Sequence, residues 1–305
     1  MLSILVPTYN RSAMLREALI SILAQSYTDY EIIVVDNCSP DDTEAVVAAL
    51  GNPRIKFHRN ALNVGPVNNH NRALRLATGH YICTFSDDDV MLPDNLAAKV
   101  AILDQHPQVG LVHSMIHTIN EMGTVVSTEQ WAKKTSAGER LNGDELMAAQ
   151  EAYDLLYEGW NFICMPSVLV RRSILAIHQL EFNNQLGYLI DWDLWLKISK
   201  HASFYYIKVP LVKYRIHSSN ESARMNTNLY FKEIFLMKLS LLTLHDKDNN
   251  GRAKVMELSD AIDKQIAQAN LILHPETVAP TPPLWRKAWK YMPLKMQIKQ
   301  ILGRP

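Results

Sequence analysis

Apolar and polar positions alternate in blocks over the first 116 residues. "LSILVP" (2–7) is a compact apolar run read as a buried strand. Over 11–24, Met14, Leu15, Ala18, Leu19, Ile22 and Leu23 fall at helical spacing. "EIIVVD" (31–36) is a second, β-branched strand, and Asp41 or Asp42 can cap a helix presenting Val46, Val47 and Leu50. "RIKFHR" (54–59) predicts a third, shorter strand, 66–77 a helix stopped by Gly79, and "YICTF" (81–85) a fourth strand. Residues 93–106 predict a helix with Pro93 near its start, and "VGLVHSMI" (109–116) a fifth strand. Strand and helix in alternation imply an α/β fold, a mostly parallel sheet covered on both faces. Ligands of such sheets bind beyond the carboxyl ends of the strands.

The pattern changes after residue 116. A hairpin around Gly123 is expected, then a polar, helix-leaning stretch to about 158. "FICMPSVLVRR" (162–172) reads as extended and "DWDLWLKISKH" (191–201) as an amphipathic helix. "SFYYIKVPLVKYRIH" (203–217) predicts two short strands broken at Pro210. Residues 226–272 predict two helices around "HDKDNNG" (245–251), and "HPETVAPTPP" (274–283) a Pro-rich linker.

Composition narrows the function classes. Apolar residues make up 48% and charged residues 20%, ordinary for a globular protein. Acids and bases balance at 31 each, which gives no reason to expect nucleic acid as a partner. The bases are not evenly spread: Arg286, Lys287, Lys290, Lys295, Lys299 and Arg304 lie in 277–305, which has no acid. Trp285, Trp289, Met292 and Met296 share a helical face there, so 284–302 reads as an amphipathic segment for a membrane surface, with a second subunit as the alternative partner. Cys38, Cys83 and Cys164 are odd in number and widely spaced, which fits a reducing cytosol better than a disulfide scaffold. Residues 1–20 lack the order of a signal peptide, and no apolar run is long enough to span a bilayer. The expected location is therefore cytoplasmic, peripheral to a membrane if the tail binds one.

The chemistry begins with an absence. Neither GxGxxG after the first strand nor GxxxxGK[ST] occurs, which disfavours dinucleotide-binding and P-loop enzymes. Carboxylates sit where those folds place glycine. Asp36 ends the second strand, where it can accept from a base or ribose or else cap the next turn with Asn37 and Ser39. Asp87, Asp88 and Asp89 crowd the end of the fourth strand, where mutual repulsion and desolvation are unfavourable. A divalent cation, Mg²⁺ or Mn²⁺, carrying a diphosphate would relieve that repulsion.

In order, "VPTYNR" (6–11), "VVDNCSPDDT" (34–43), "NVG" (63–65), Asn71, "ATGHYICTFSDDD" (77–89) and "LP" (92–93) resemble the family 2 glycosyltransferases. These are inverting GT-A-fold enzymes that use nucleotide-diphosphate sugars. The resemblance covers 1–116 and implies a GT-A-type, Rossmann-like sheet with flanking helices and a C-terminal helical extension. It implies a catalytic domain over 1–220, with a donor half (1–116) and an acceptor half (117–220), an extension over 221–273 and a linker plus tail over 274–305.

By that resemblance Pro7, Thr8, Tyr9 and Arg11 line the nucleotide pocket, and Asp36 meets the base or ribose. Asn63, Gly65 and Asn71 shape the pocket's other side, Asp87 and Asp88 face the ribose or sugar, and Asp89 ligates the metal. His70 stands where the family often has Arg. In the second half Asp191 matches the family's catalytic base, with Ile190 in place of a common Glu and Asp193 as a rival one turn on. The bland alternative for Asp191 is an N-cap; a helix dipole would keep it ionised. "VKYRIHSSNES" (212–222) supplies His217 for the metal or diphosphate and Arg215 to offset phosphate charge. Trp160 and Asn161 are candidates for the acceptor side. The implied reaction moves a sugar from a UDP- or dTDP-linked donor to a hydroxyl of a glycan or glycolipid, with Mn²⁺ or Mg²⁺, in surface polysaccharide assembly. The alternative is an inactive domain of the same fold that binds nucleotide or glycan as a scaffold. A nucleotidyltransferase is disfavoured because the early Gly-rich, basic loop expected for triphosphates is missing.

Overall fold

A computed structural model describes residues 1–128, 141, 143–218, 220, 233, 234, 236–238 and 241. The chain divides into two compact units, Met1–Arg224 and Met225–Pro305; everything below concerns the first. The expected Pro-rich linker and basic tail lie outside the described residues, as does most of the expected helical extension.

The alternating blocks fold as β1 (Leu2–Thr8), α1 (Ser12–Leu23), β2 (Tyr30–Asp36), α2 (Thr43–Leu50), β3 (Ile55–Arg59), α3 (Pro66–Leu76) and β4 (Tyr81–Thr84). These strands pair in parallel in the order β3-β2-β1-β4. Every residue of β2 is buried, because helices cover both sheet faces, and a run without polar alternation is what such a strand requires. Leu15, Ala18, Leu19 and Ile22 of α1 face this core. The parallel register sets Thr8 beside Asp36 and Asp36 beside Arg59, so the carboxyl ends of β1, β2 and β3 finish together.

At the opposite end, Glu31 ties the strands. Its Oε1 accepts from Ser3 Oγ at 2.6 Å, Thr78 N at 3.0 Å and Thr78 Oγ1 at 2.7 Å, and its Oε2 meets Lys56 Nζ at 2.5 Å. Gly79 lies so close to β1 that a Cβ there would stand 2.6 Å from Ser3 N and 2.7 Å from the Leu2 carbonyl carbon.

The second half continues the sheet with mixed direction. It adds β5 (Val90–Met91), α4 (Asn95–Gln105), β6 (Val109–Ile119), β7 (Val125–Ser127), β8 (Glu145–Met147), α5 (Ala149–Glu158), β9 (Leu169–Arg171), α6 (Arg172–Ile177), α7 (Ile190–Ser199) and β10 (Ser203–Arg215). The sheet runs on from β4 through β9, β6 and β10 to β5, with β7 on β6 and β8 on β10. The hairpin expected around Gly123 is present between β6 and β7. The two strands expected on either side of Pro210 are one. β10 runs parallel to β6, and register shifts around Ile207, Pro210 and Val212 absorb the proline, which lacks the N–H a regular ladder needs. The segment 162–172 is extended only at Leu169–Arg171, after a 3₁₀ turn at Met165–Ser167. Among the described residues no helix is long and apolar enough to cross a membrane.

Candidate active site

The carboxyl ends of β1, β2, β4 and β10 deliver the polar residues. After β1 the chain turns through Asn10 at φ +55° into α1. Asn10 N donates to Ser39 Oγ at 2.8 Å, and Ser39 Oγ in turn donates to Asp36 Oδ1 at 2.5 Å. Ser39 N also donates to Asp36 Oδ1, at 2.9 Å, and Arg59 Nη1 pairs with Asp36 Oδ2 at 2.9 Å. Asp36 is fully buried. Expected against base or ribose, Asp36 holds the turn through Oδ1, while its Oδ2, beside Arg59, is buried without a hydrogen-bond partner. A strand-end carboxylate between two loops is used this way because buried charge demands partners. Thr8 is buried and Tyr9 is 45% exposed at the same loop.

Amides form the neighbouring wall. Asn37 Oδ1 accepts from Val64 N and Asn60 Nδ2, both at 2.9 Å, and Asn37 Nδ2 donates to Asn63 Oδ1 at 2.9 Å. Asn63 Oδ1 also accepts from Gly65 N, and Gly65 takes φ +82°, a conformation glycine adopts without a Cβ penalty. Asn63 and Gly65 thus form the expected loop. Asn71, expected beside it, is spent elsewhere: its amide makes a two-way pair with the backbone of Phe182, at 2.8 and 2.9 Å. His70, in the place of the family's arginine, bonds the Pro66 carbonyl and meets Phe182 edge-on at 5.3 Å between ring centres.

The three aspartates are all buried, and the protein itself offsets much of their repulsion. Arg11 Nη1 lies 3.0 Å from both Asp87 Oδ1 and Asp88 Oδ2. His217 Nε2 lies 3.0 Å from Asp88 Oδ2. Arg215 N donates to Asp89 Oδ1 at 2.8 Å. Asp89 Oδ2 is buried without a hydrogen-bond partner. Burial, then the charge of Asp88, pushes the Asp89 carboxyl well above its usual range. Burial likewise raises Asp87, to about 6, with Asp88 adding to it and Arg11 opposing.

Arg215, expected to offset phosphate charge, is held within the protein. Its guanidinium is buried and bonds the Asp88 carbonyl at 2.7 Å, the Glu121 carbonyl at 2.9 Å and Glu17 Oε2 at 2.7 Å. It pins the aspartate turn to α1 and to the hairpin.

No group of three or more His, Cys, Asp or Glu side chains among the described residues is arranged to hold a metal ion. The donor set nonetheless suits a hard divalent cation. An orphaned carboxylate oxygen on Asp89, beside Asp88 and His217, matches ions that take one or two protein oxygens and complete their shell with phosphate and water.

Asp191 is the second residue of α7, so it is not the N-cap, which is Leu189. Its Oδ1 accepts from Trp192 N at 2.7 Å and its Oδ2 from Asn161 Nδ2 at 2.9 Å. It keeps part of its surface open to solvent. Burial raises its carboxyl from 3.8 to about 6 against those two hydrogen bonds, so desolvation outweighs the helix dipole expected to hold it low. The rival Asp193 is fully buried and ion-paired to Lys197 at 2.5 Å. Burial raises the Cys164 thiol, and the charges of Asp89, Asp191 and Asp88 raise it further. Trp160, beside Asn161, is 37% exposed.

Sequence reasoning missed Arg59, Glu17 and Asn60, whose Nδ2 donates to Asn37 Oδ1 at 2.9 Å and to Asn69 Oδ1 at 2.8 Å. A signal existed for Arg59, which ends the predicted third strand as Asp36 ends the second. Nothing in the sequence pointed to Glu17, which meets Arg215 across 198 positions.

Solved structures and sequence relatives place this geometry. Staphylococcus aureus TarS 1–349, solved in complex with UDP-GlcNAc, matches 98% of this chain and 81% of its own, with TM-score 0.69 and 18% identity. The mannosyltransferase PcManGT from Pyrobaculum calidifontis, solved with GDP-Man and Mn²⁺, matches 99% of this chain and 84% of its own, with TM-score 0.56 and 17% identity. These two likenesses concern the fold, which is of the GT-A type. A Campylobacter jejuni protein named GalNAc(5)-diNAcBac-PP-undecaprenol beta-1,3-glucosyltransferase is 30% identical over 207 residues, covering 67% of this chain and 61% of that one. The profile described as "Glycosyl transferase family 2" matches residues 3–176, more than half of the chain. The chain belongs to glycosyl transferase family 2.

Proposed function

We propose that this glycosyltransferase moves a sugar, with inversion, from a UDP-sugar to a hydroxyl of a lipid-linked or free glycan. The observation that carries this reading is Asp191: a partly exposed carboxylate, held by Asn161 Nδ2 and Trp192 N and raised by burial to about 6. A base must be ionised at working pH and yet retain proton affinity, and a value just below neutrality meets both needs. The UDP-GlcNAc complex of TarS supports UDP as the first donor to try, and the Campylobacter relative supports a lipid-linked glycan acceptor.

In this reading the nucleotide lies over the carboxyl ends of β1 and β2, against the "PTYNR" loop and the Asn63–Gly65 loop. The sugar reaches the aspartate turn. The acceptor hydroxyl enters from the Trp160 side, and Asp191 takes its proton as the oxygen attacks the anomeric carbon. The bond from that carbon to the diphosphate breaks on the opposite face, so configuration inverts. Asp89, with Asp88 and His217 behind it, would hold the divalent cation. When bound, that ion supplies Lewis-acid neutralisation of the diphosphate leaving group. Arg11 and Arg215 keep the turn in place, and alignment of the two substrates accounts for much of the rest.

Asp191→Asn and Asp193→Asn separate the base from its rival. Asp191→Asn should lower transfer by about 10²–10⁴-fold with an unchanged fold, the usual range for losing a general base. Asp193→Asn should leave kcat within a few fold. Full activity in folded Asp191→Asn would remove the base assignment, and a protein inert towards every nucleotide sugar would point to a binding scaffold.

A further inference from the structure

We propose that Asn161 is the positioning residue of the base: its amide fixes the orientation of Asp191 and sets how readily that carboxylate ionises. The proposal rests on the reading of Asp191 as base. The amide is held at both ends. Its Oδ1 accepts from Ile163 N at 3.1 Å, which leaves Nδ2 to donate to Asp191 Oδ2 at 2.9 Å. Behind it, Phe162, Ile163 and Cys164 are buried, so the loop that carries the amide is anchored by its own side chains. The other partner is equally fixed. Trp192 is buried, and its indole Nε1 donates to the Leu156 carbonyl at 3.0 Å, locking the start of α7 to α5. Asp191 thus receives one donor on each oxygen, from two rigid elements, and each oxygen retains a lone pair for the acceptor proton. A donor to a carboxylate favours its charged form, so the Asn161 amide opposes the desolvation that raises the group.

Other charges share the surroundings. The charges of Asp191, Asp88 and Asp89 all act on the buried Cys164 thiol, in the loop after α5. α5 carries Glu151, Asp154 and Glu158, β6 carries His113 and His117, and α7 itself carries the Asp193–Lys197 pair. These act alike in wild type and in an Asn161 variant, so the change on substitution isolates the amide.

The direct test is a carboxyl ¹³C NMR titration of aspartate-labelled protein, with Asp191 assigned through Asp191→Asn. It is paired with the pH profile of UDP release from UDP-GlcNAc and other UDP-sugars. Asn161→Ala should raise the Asp191 midpoint by roughly one pH unit, the equivalent of losing a hydrogen bond to a charged group. Asn161→Asp keeps the acceptor for Ile163 N and should raise it further, since two carboxylates at that distance share one proton. Its near-identical shape guards against a folding defect in the alanine variant. The acid limb of UDP release should move with the midpoint. An unchanged midpoint in both folded variants would overturn the proposal. A midpoint that moves while the acid limb stays would show that Asn161 tunes a carboxylate the reaction does not use, which overturns its catalytic role. Activity surviving in Asp191→Asn would defeat the base reading separately, whatever the titration gives.

Discussion

The carboxylates around the site differ in their partners. Asp36 has Ser39 and Arg59, Asp88 has Arg11 and His217, and Asp193 has Lys197. Asp191 has two neutral donors and no cation among the described partners, and its carboxyl is raised to about 6. Two consequences have opposite directions in pH. The base works only when ionised, so kcat should climb through about pH 6 and level off above it, and a kcat that is flat between pH 5 and 8 would contradict the assignment. Stability should move the other way. The folded carboxyl binds its proton more tightly than the usual 3.8, so between 3.8 and about 6 the native state holds more protons than the unfolded chain. Stability therefore falls as pH rises through that window, and Asp191→Asn should be more stable than wild type at pH 7 by about 1–2 kcal/mol. A denaturant titration at pH 5 and pH 7 checks the sign: the gap between variant and wild type should widen at the higher pH.

At the scale of elements, the end of the sheet away from the site is held by the reverse electrostatic logic. Burial tends to raise Glu31, but its bonds to Lys56, Ser3 and Thr78 outweigh that and lower it to about 2. A depressed carboxyl stabilises the fold above its ordinary value and loses that contribution as pH falls from 4.5 towards 2. Glu31→Gln should cost about 2 kcal/mol at pH 7, discounted because Lys56 is half-exposed, and the cost should shrink below pH 4. Gly79→Ala meets the same junction sterically: its Cβ would collide with β1 backbone, which cannot swing aside as a side chain can. The expected loss is about 1–3 kcal/mol or more, read as a lower urea midpoint at unchanged slope. Elements of this kind explain what the sequence could disclose. β1, β2, β4 and α1 were legible because strands buried on both faces are apolar throughout and the helix over them is periodic. β10 was misjudged at Pro210 because the bulge that absorbs a proline depends on its partner β6, 90 and more positions earlier. Asp191 and the aspartate turn were legible as residues, being polar punctuation at element ends. The partners that Asp36, Asn71 and Arg215 meet were not, since each is distant in sequence: Arg59, Phe182 and Glu17.

For the molecule as a whole, the donor and cation belong to the native state alone, so their binding should appear as thermal stability. A ligand at about 100 times its Kd adds about 2.7 kcal/mol, or several degrees in Tm for a chain of this size. UDP with Mn²⁺ should raise Tm more than UDP alone. The increment should depend on Asp89, whose Oδ2 is buried without a hydrogen-bond partner. Asp89→Asn is the informative variant. Its amide oxygen can still accept from Arg215 N, so the turn should persist, while the negative charge that attracts the cation is gone. Its Tm without ligand should equal or exceed that of wild type, because burial already penalises the charged form. The Mn²⁺-dependent increment should vanish in Asp89→Asn and survive in full in Asp191→Asn, since the base lies on the acceptor side. Arg11→Ala adds the complementary case. It removes the cation that holds Asp87 and Asp88 together, so its Tm without ligand should fall, and Mn²⁺ should recover more of that loss than it adds to wild type. An Mn²⁺ increment that persisted in Asp89→Asn would move the cation away from the aspartate turn. Equal Mn²⁺ increments in wild type and Arg11→Ala would mean that the arginine and the cation do not answer the same repulsion.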